Sequence, residues 1–164
     1  MSLAFAGVFC IGQAAAVRAQ ARRPAGVVVV PLSVAAHQGL TFGTVLPGIP
    51  AVVHANDAMR AMLFEVEGAA GLPVRVEFVL PAVLARIGGT ESIPLAFGAG
   101  DGIADPNHAP GSGITFDPRL PLISTLGSAG QLWLSIGATA VPGHLLTTGQ
   151  YHGTVYITVY DLSS

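Results

Sequence analysis

The sequence predicts an all-β protein, an antiparallel β-sandwich of about eight or nine short strands. Three observations support this fold class. Apolar side chains alternate with a period of two, no helical pattern of useful length occurs after residue 22, and glycine and proline recur between the apolar stretches. The 164 residues include 21 Gly and 12 Pro, yet 51% are hydrophobic and only 10% are charged, which suits one packed core.

The first 21 residues differ in composition from the rest of the chain. The apolar run 3–17 is shorter than the roughly 20 residues that span a bilayer. Ala19-Gln20-Ala21 follows it and is typical of a signal-peptidase site, although no basic residue precedes the run. We therefore predict that residues 1–21 are a signal peptide or a retained short apolar anchor near a membrane. Residues 22–164 are predicted to form a single exported domain, located in the periplasm, at the cell surface or outside the cell.

The first predicted strand, residues 27–36, is a candidate interaction element. Pro31 cannot donate a ladder hydrogen bond, so we expect this strand at a sheet edge. Alternation places five apolar side chains on one of its faces: Val28, Val30, Leu32, Val34 and Ala36.

The same alternation predicts four strands in the next part of the chain, with the Pro47-Gly48 turn between the first two. The last two are expected to be adjacent and half-buried, with cross-strand pairing of their outward charges. The four strands are 41–46, 51–55, 60–68 and 72–80. Residues 81–87 suit a single helical turn.

Residues 88–113 have the composition of an irregular loop, which we expect to be the most mobile part of the chain. Only 93–97 is predicted to form a strand within it. The loop contains four residues with possible ligand atoms for Ca²⁺: Asp101, Asp105, Asn107 and His108. Because the register of an EF-hand loop is missing, turns stabilised by the aspartate side chains are the simpler interpretation.

Four further strands complete the prediction: 114–116, 120–124, 131–138 and 151–160. The last has the clearest pattern, with one buried and one solvent-exposed face. Odd-numbered residues from Tyr151 to Val159 share one face, and even-numbered residues from His152 to Tyr160 share the other.

The composition excludes several functions. All seven basic residues are scattered arginines, which argues against nucleic acid, and the absence of lysine removes Schiff-base chemistry. No serine has the G-x-S-x-G frame, the histidines lack zinc-ligand spacing, and Cys10 is the only cysteine. We therefore predict no catalytic residue, no metal and no cofactor, and we expect the partners to be proteins.

Two motifs resemble an uncharacterised family of secreted bacterial β-sandwich domains, similar to spore-coat-U and archaic chaperone-usher pilin domains. The first is an L-x-F-G-x-x-x-P-G opening in residues 40–48, and the second is a G-x-Y-x-G ending in residues 149–160. The likeness spans about residues 27–160. Spore-coat-U domains usually carry cysteines, which are absent here after residue 10. The matching residues are Phe42, Gly43, Pro47, Gly149, Tyr151, Gly153 and Tyr160.

The resemblance implies an Ig-like, pilin-like sandwich with a structural role outside the cytoplasm. If such a sandwich lacks one strand, its open edge can accept an extended segment from another chain, and residues 27–36 suit that segment. The same strand can instead pair within its own chain. The protein is then either a subunit of a pilus-like or surface fibre, or an accessory β-domain that stabilises a larger membrane-associated complex.

Overall fold

The computed structural model describes residues 30–109 and 113–163, and within these ranges all regular secondary structure is β. The predicted all-β class is therefore confirmed, with more and shorter strands than expected. The leader 1–21 and Val28 lie outside the described residues. The 13 strands are β1 (Ser33–Gln38), β2 (Ala51–Val53), β3 (Met62–Glu67), β4 (Pro73–Val79), β5 (Val83–Arg86), β6 (Ser92–Ala96), β7 (Gly102–Asp105), β8 (Ile114–Phe116), β9 (Leu122–Thr125), β10 (Gln131–Ile136), β11 (Ala138–Ala140), β12 (Tyr151–His152) and β13 (Tyr156–Asp161).

The strands form three sheets, and every described pair is antiparallel. The first sheet has the order β1-β3-β10-β7-β8. The second sheet has the order β12-β5-β6-β11-β2, and the third has the order β13-β4-β9.

The main core lies between the first and third sheets. Alternate residues of β3, β10 and β4 point into it, and β13 contributes partly buried side chains from the third sheet. Burying a side chain of this size stabilises the fold by roughly 1.5–3 kcal/mol. The fully buried members are Val66, Val74, Val76, Leu132, Leu134 and Ile136.

Gly137 separates β10 from β11 and lets the chain pass from the first sheet to the second. Its N–H donates to the Asp101 carbonyl at 2.8 Å. A Cβ at this position would overlap the Val53 carbonyl oxygen and lie 2.7 Å from the Ala55 nitrogen. Only glycine permits so close an approach of two backbone segments.

The predicted loop 88–113 is wrong in part, because β7 lies within it and pairs with both β10 and β8. Gly102 and Ala104 are buried there, and a Cβ on Gly102 would lie 2.6 Å from the Phe116 ring. Small residues thus let the ring pack against β7. The same residues have low strand propensity, so the pattern indicated a turn.

Three other predictions need correction. Residues 81–87 contain strand β5 instead of a helical turn, and residues 41–46 contain no strand. The strands predicted at 60–68 and 72–80 exist as β3 and β4, but they belong to different sheets. The last predicted strand is divided at 153–155, so that β12 joins the second sheet and β13 the third.

The crowding at Gly137 predicts that Gly137→Ala is strongly destabilising. We expect a loss of about 1–3 kcal/mol or more in the free energy of unfolding, measured by chemical denaturation, because two backbone segments must separate. Gly100→Ala is the matched control, since nothing lies within 4 Å of a Cβ there and its φ is not positive. Equal stability of the two variants would contradict this account of the bend.

Candidate functional site

The outer edge of β13 carries backbone groups that pair with no strand among the described residues. β4 is its neighbour on one side, and Leu162 N–H continues that ladder by donating to the Pro73 carbonyl at 3.0 Å. In an antiparallel ladder, N–H and C=O groups of alternate residues point to the same side. The even-numbered residues of β13 therefore face β4, and the odd-numbered ones present their backbone groups at the open edge.

β13 carries few of the features that usually block pairing at an edge. Residues 153–160 contain no charge and no proline, and the first charged residue is Asp161 at the strand end. The Ser163 hydroxyl and amide donate hydrogen bonds to Asp161 and hold the pKa of that carboxyl below its usual range. Asp161 is thus ionised at neutral pH, and the rest of the edge is open to another strand.

β1 forms the edge of the first sheet, and an apolar gap lies between it and the start of β13. Val34 is opposite Val66 in register and so points inward, yet it remains 40% exposed. A cavity of about 250 Å³ occupies this gap. Its lining residues are Ala36, His37, Gln38, Gly39, Met62, Phe64 and Val155.

A second cavity of about 870 Å³ adjoins the first and shares Gly39, Met62 and Val155 with it. We call the two cavities together the seam. The walls of the larger one come from residues 39–47, from β5 and β6, and from residues 146–153. No arginine, aspartate or glutamate is among the described lining residues, which combine apolar side chains with Thr, Gln, Tyr and His, so the seam suits an occupant without charge.

The larger cavity brings both halves of the family-like motif together. Its lining includes Phe42, Gly43 and Pro47 from the opening motif, and Gly149, Tyr151 and Gly153 from the ending motif. Tyr160, the remaining motif residue, lies elsewhere, on the outer face of the third sheet with the Arg75 guanidinium 6.0 Å from its ring centroid.

Local geometry explains two of the motif residues. Gly43 has a φ of 69°, a left-handed conformation that glycine adopts without strain. The hydroxyl of Tyr151 donates to the Thr147 carbonyl at 2.7 Å and closes the turn that forms one wall of the cavity. These residues shape the walls of the seam.

A side-chain cluster on the outer face of the first sheet attaches β1 to the rest of the sheet. The buried carboxylate of Glu65 lies 2.7 Å from His37 Nε2 and accepts a hydrogen bond from Gln131 Nε2 at 2.7 Å. The His37 ring centroid lies 5.1 Å from that of Trp133. This cluster could not be predicted from the sequence, because its members come from three separate strands.

The expected cross-strand pairing of Arg75 with the outward carboxylates of the preceding strand, Glu65 and Glu67, is wrong. Arg75 instead forms its ion pair with Glu77 on the same face of β4. The reason is topological, since β3 and β4 lie in opposite sheets.

The structure assigns different positions to the residues of the candidate segment 27–36. Val30 is 50% exposed, and Leu32 packs against the core cluster. Val34 and Ala36 lie in β1 and pair with β3 of the same chain. The second half of the segment therefore pairs within its own chain.

The aspartates of the loop after β6 form the turns that the simpler interpretation predicts. Asp105 Oδ1 accepts the Asn107 N–H at 2.8 Å, and Asp101 Oδ2 accepts the Gly98 N–H at 2.6 Å. Among residues 30–109 and 113–163, no group of three or more His, Cys, Asp or Glu side chains is placed to hold a metal ion.

No family model matches the chain, and no curated protein matches it. In the part of the chain that the structure describes, no helix has the length and apolar character needed to cross a membrane.

The cluster around Glu65 predicts that His37→Ala loosens β1. We expect faster hydrogen exchange of the β1 amides and a loss of roughly 0.5–1.5 kcal/mol in stability, because Glu65 loses a hydrogen-bond partner. His54→Ala is the control, since His54 is exposed and no side-chain hydrogen bond is found for it. Unchanged exchange in β1 would show that the backbone ladder alone holds this strand.

Proposed function

We propose that this protein is a non-catalytic, exported structural subunit of a pilus-like or surface fibre, which accepts an extended segment from a neighbour at β13. The observation that carries the proposal is the order of the strands. In an Ig-like sandwich one sheet has the order A-B-E-D and the other contains C-F-G. The order β1-β3-β10-β7 corresponds to the first, and β4-β13 corresponds to C-F. No described strand corresponds to G.

The seam is compatible with the same proposal, because Val155, just before β13, lines both of its cavities. No arginine, aspartate or glutamate lines the seam, and the odd-numbered residues of β13 present backbone N–H and C=O groups that pair with no described strand. Backbone hydrogen bonds would give such a complex its affinity, and alternate side chains entering the seam would give it specificity.

The donor in this proposal is the part of segment 27–36 that precedes β1. Because residues 33–36 already pair with β3, the alternating apolar residues left for a neighbour are those around Val28 and Val30. Donor and acceptor are different surfaces of one chain, so the contact is heterologous and repeats into an open filament.

An accessory domain of a membrane-associated complex would use the same edge for a different protein. The two roles differ in the partner at this edge, which is another copy of the chain in a fibre and a different protein in an accessory complex. The intact mass of the native protein bears on this choice, since a start near Arg22 favours a secreted fibre subunit and a start at Met1 favours an anchored accessory domain.

The proposal predicts that a peptide covering residues 24–32 binds at the β13 edge. We expect it to slow hydrogen exchange of the Ile157 and Val159 amides, which face outward, while the Thr158 amide, already paired with β4, changes little. A peptide with Val28→Asp and Val30→Asp is the matched control and is expected to bind at least about tenfold more weakly, because a charge would lie beside the apolar side chains of Ile157 and Val159.

Electron microscopy of the purified protein tests whether the contact repeats. Filaments are expected, and their length should fall when the peptide is added in excess, because it occupies the acceptor edge. Absence of both peptide binding and filaments would refute the fibre role. Peptide binding without filaments would instead favour the accessory role.

A further inference from the structure

We infer that the β13 edge also pairs with β13 of a second copy of this chain, which forms a symmetric dimer through an antiparallel strand pair centred on Thr158. This inference goes beyond the fibre role and depends on the free edge alone.

The sequence of β13 is complementary to itself when it is read in the opposite direction. Residues 156–160 read Tyr-Ile-Thr-Val-Tyr. In an antiparallel pair with Thr158 on the two-fold axis, each Tyr156 lies opposite Tyr160 of the second copy and each Ile157 lies opposite Val159. Aromatic, β-branched and Thr–Thr cross-strand pairs of this kind stabilise sheets.

The backbone geometry of β13 fits the same register. Ile157 and Val159 are the residues whose N–H and C=O groups point away from β4, as the Leu162–Pro73 hydrogen bond establishes. In this register these two residues lie opposite each other across the interface and exchange both hydrogen bonds. A shift by one residue would place inward-facing and outward-facing side chains opposite one another, so alternation excludes it. Among the registers that remain, the one centred on Thr158 pairs Tyr156 with Tyr160 and Ile157 with Val159.

The apolar inner face and the aromatic outer face of β13 each continue into the same face of the second copy across the proposed interface. Ile157 and Val159 pack against the core from one side, so their counterparts continue an apolar inner face. Tyr156 and Tyr160 are 64% and 47% exposed on the outer face, where each would gain an aromatic neighbour.

The charged residues near β13 are also compatible with this pairing, because no two like charges lie opposite each other across the interface. Asp161 is the only charged residue in 153–163, and this register places it opposite Val155 of the second copy. The two Asp161 carboxylates therefore lie at opposite ends of the paired segment. The Arg75–Glu77 ion pair is one strand further from the interface, on β4.

The dimer and the fibre contact exclude each other, because both require the same backbone groups of β13. An isologous contact closes at two copies, whereas a heterologous one continues. A donor segment must therefore displace the second copy before a filament grows.

Thr158→Lys tests the dimer. Thr158 is exposed and lies beside Glu77 on β4, so a lysine is tolerated in the monomer, but two lysines would meet directly on the two-fold axis. In sedimentation equilibrium we expect the dimer dissociation constant to rise by roughly tenfold or more. Thr125→Lys, on the same face but at the opposite edge of the third sheet, is expected to leave it unchanged.

Mixing Thr158→Lys with Thr158→Asp tests the register. Each variant alone is expected to be monomeric, with folding checked by circular dichroism, and an equimolar mixture is expected to recover a dimer because opposite charges then meet. In addition, Thr158→Cys should form a disulfide-linked dimer under oxidation. Thr125→Cys should give no more disulfide-linked dimer than the parent protein, in which Cys10 is the only cysteine.

Three results would overturn the inference: a parent protein that stays monomeric up to about 1 mM, a Thr158→Lys variant that dimerises like the parent, or a mixture that fails to recover the dimer. These outcomes are independent of the peptide binding and filaments that test the fibre role. If the dimer fails while the peptide still binds, the edge accepts a donor segment only.

Discussion

The backbone groups of β13 that pair with no strand among the described residues are the constraint on which the interpretation of this fold depends. A buried or half-buried N–H or C=O group needs a partner, and a sheet edge with such groups favours addition of another strand. Here the edge lies at the end of a three-stranded sheet, and Val155, just before it, lines the seam. Its uncharged sequence leaves it open to strand addition, and the edge can be completed by a donor segment or by a second copy.

The symmetry of the contact decides what assembles. When β13 pairs with β13 of a second copy, the contact is closed and assembly stops at the dimer. When it pairs with a segment from before β1, the donor edge of each new subunit stays available and growth continues. If both proposals hold, one strand gives either a closed dimer or a filament, and the relative affinity of the two occupants sets the balance between them.

Much of the fold follows from alternation along the chain, and the exceptions have identifiable causes. β3, β4 and β10 are clear from the sequence because large apolar residues occupy every second position. β7 is not, because the residues that suit its crowded place against Phe116 are small and resemble those of a turn. Alternation also says nothing about which strands share a sheet, so the separation of β3 from β4 could not be predicted. The open edge of β13 could not be predicted from the sequence either, although the motif residues that line the seam can be identified there.

The two edges beside the seam are held in different ways, and this difference determines where a new strand adds. β1 is fixed from its outer face by the contacts of Glu65 with His37 and Gln131, in addition to its ladder with β3. β13 has its ladder with β4, the approach of Arg75 to Tyr160 on its outer face, and the Ser163 hydrogen bond to Asp161 at its end, and the described residues show no contact that ties its free edge to another strand. Displacing β1 would expose the buried Glu65 carboxylate, at the cost of its hydrogen bonds. Adding a strand to β13 breaks nothing and satisfies free backbone groups, so addition at β13 is favoured over exchange of β1.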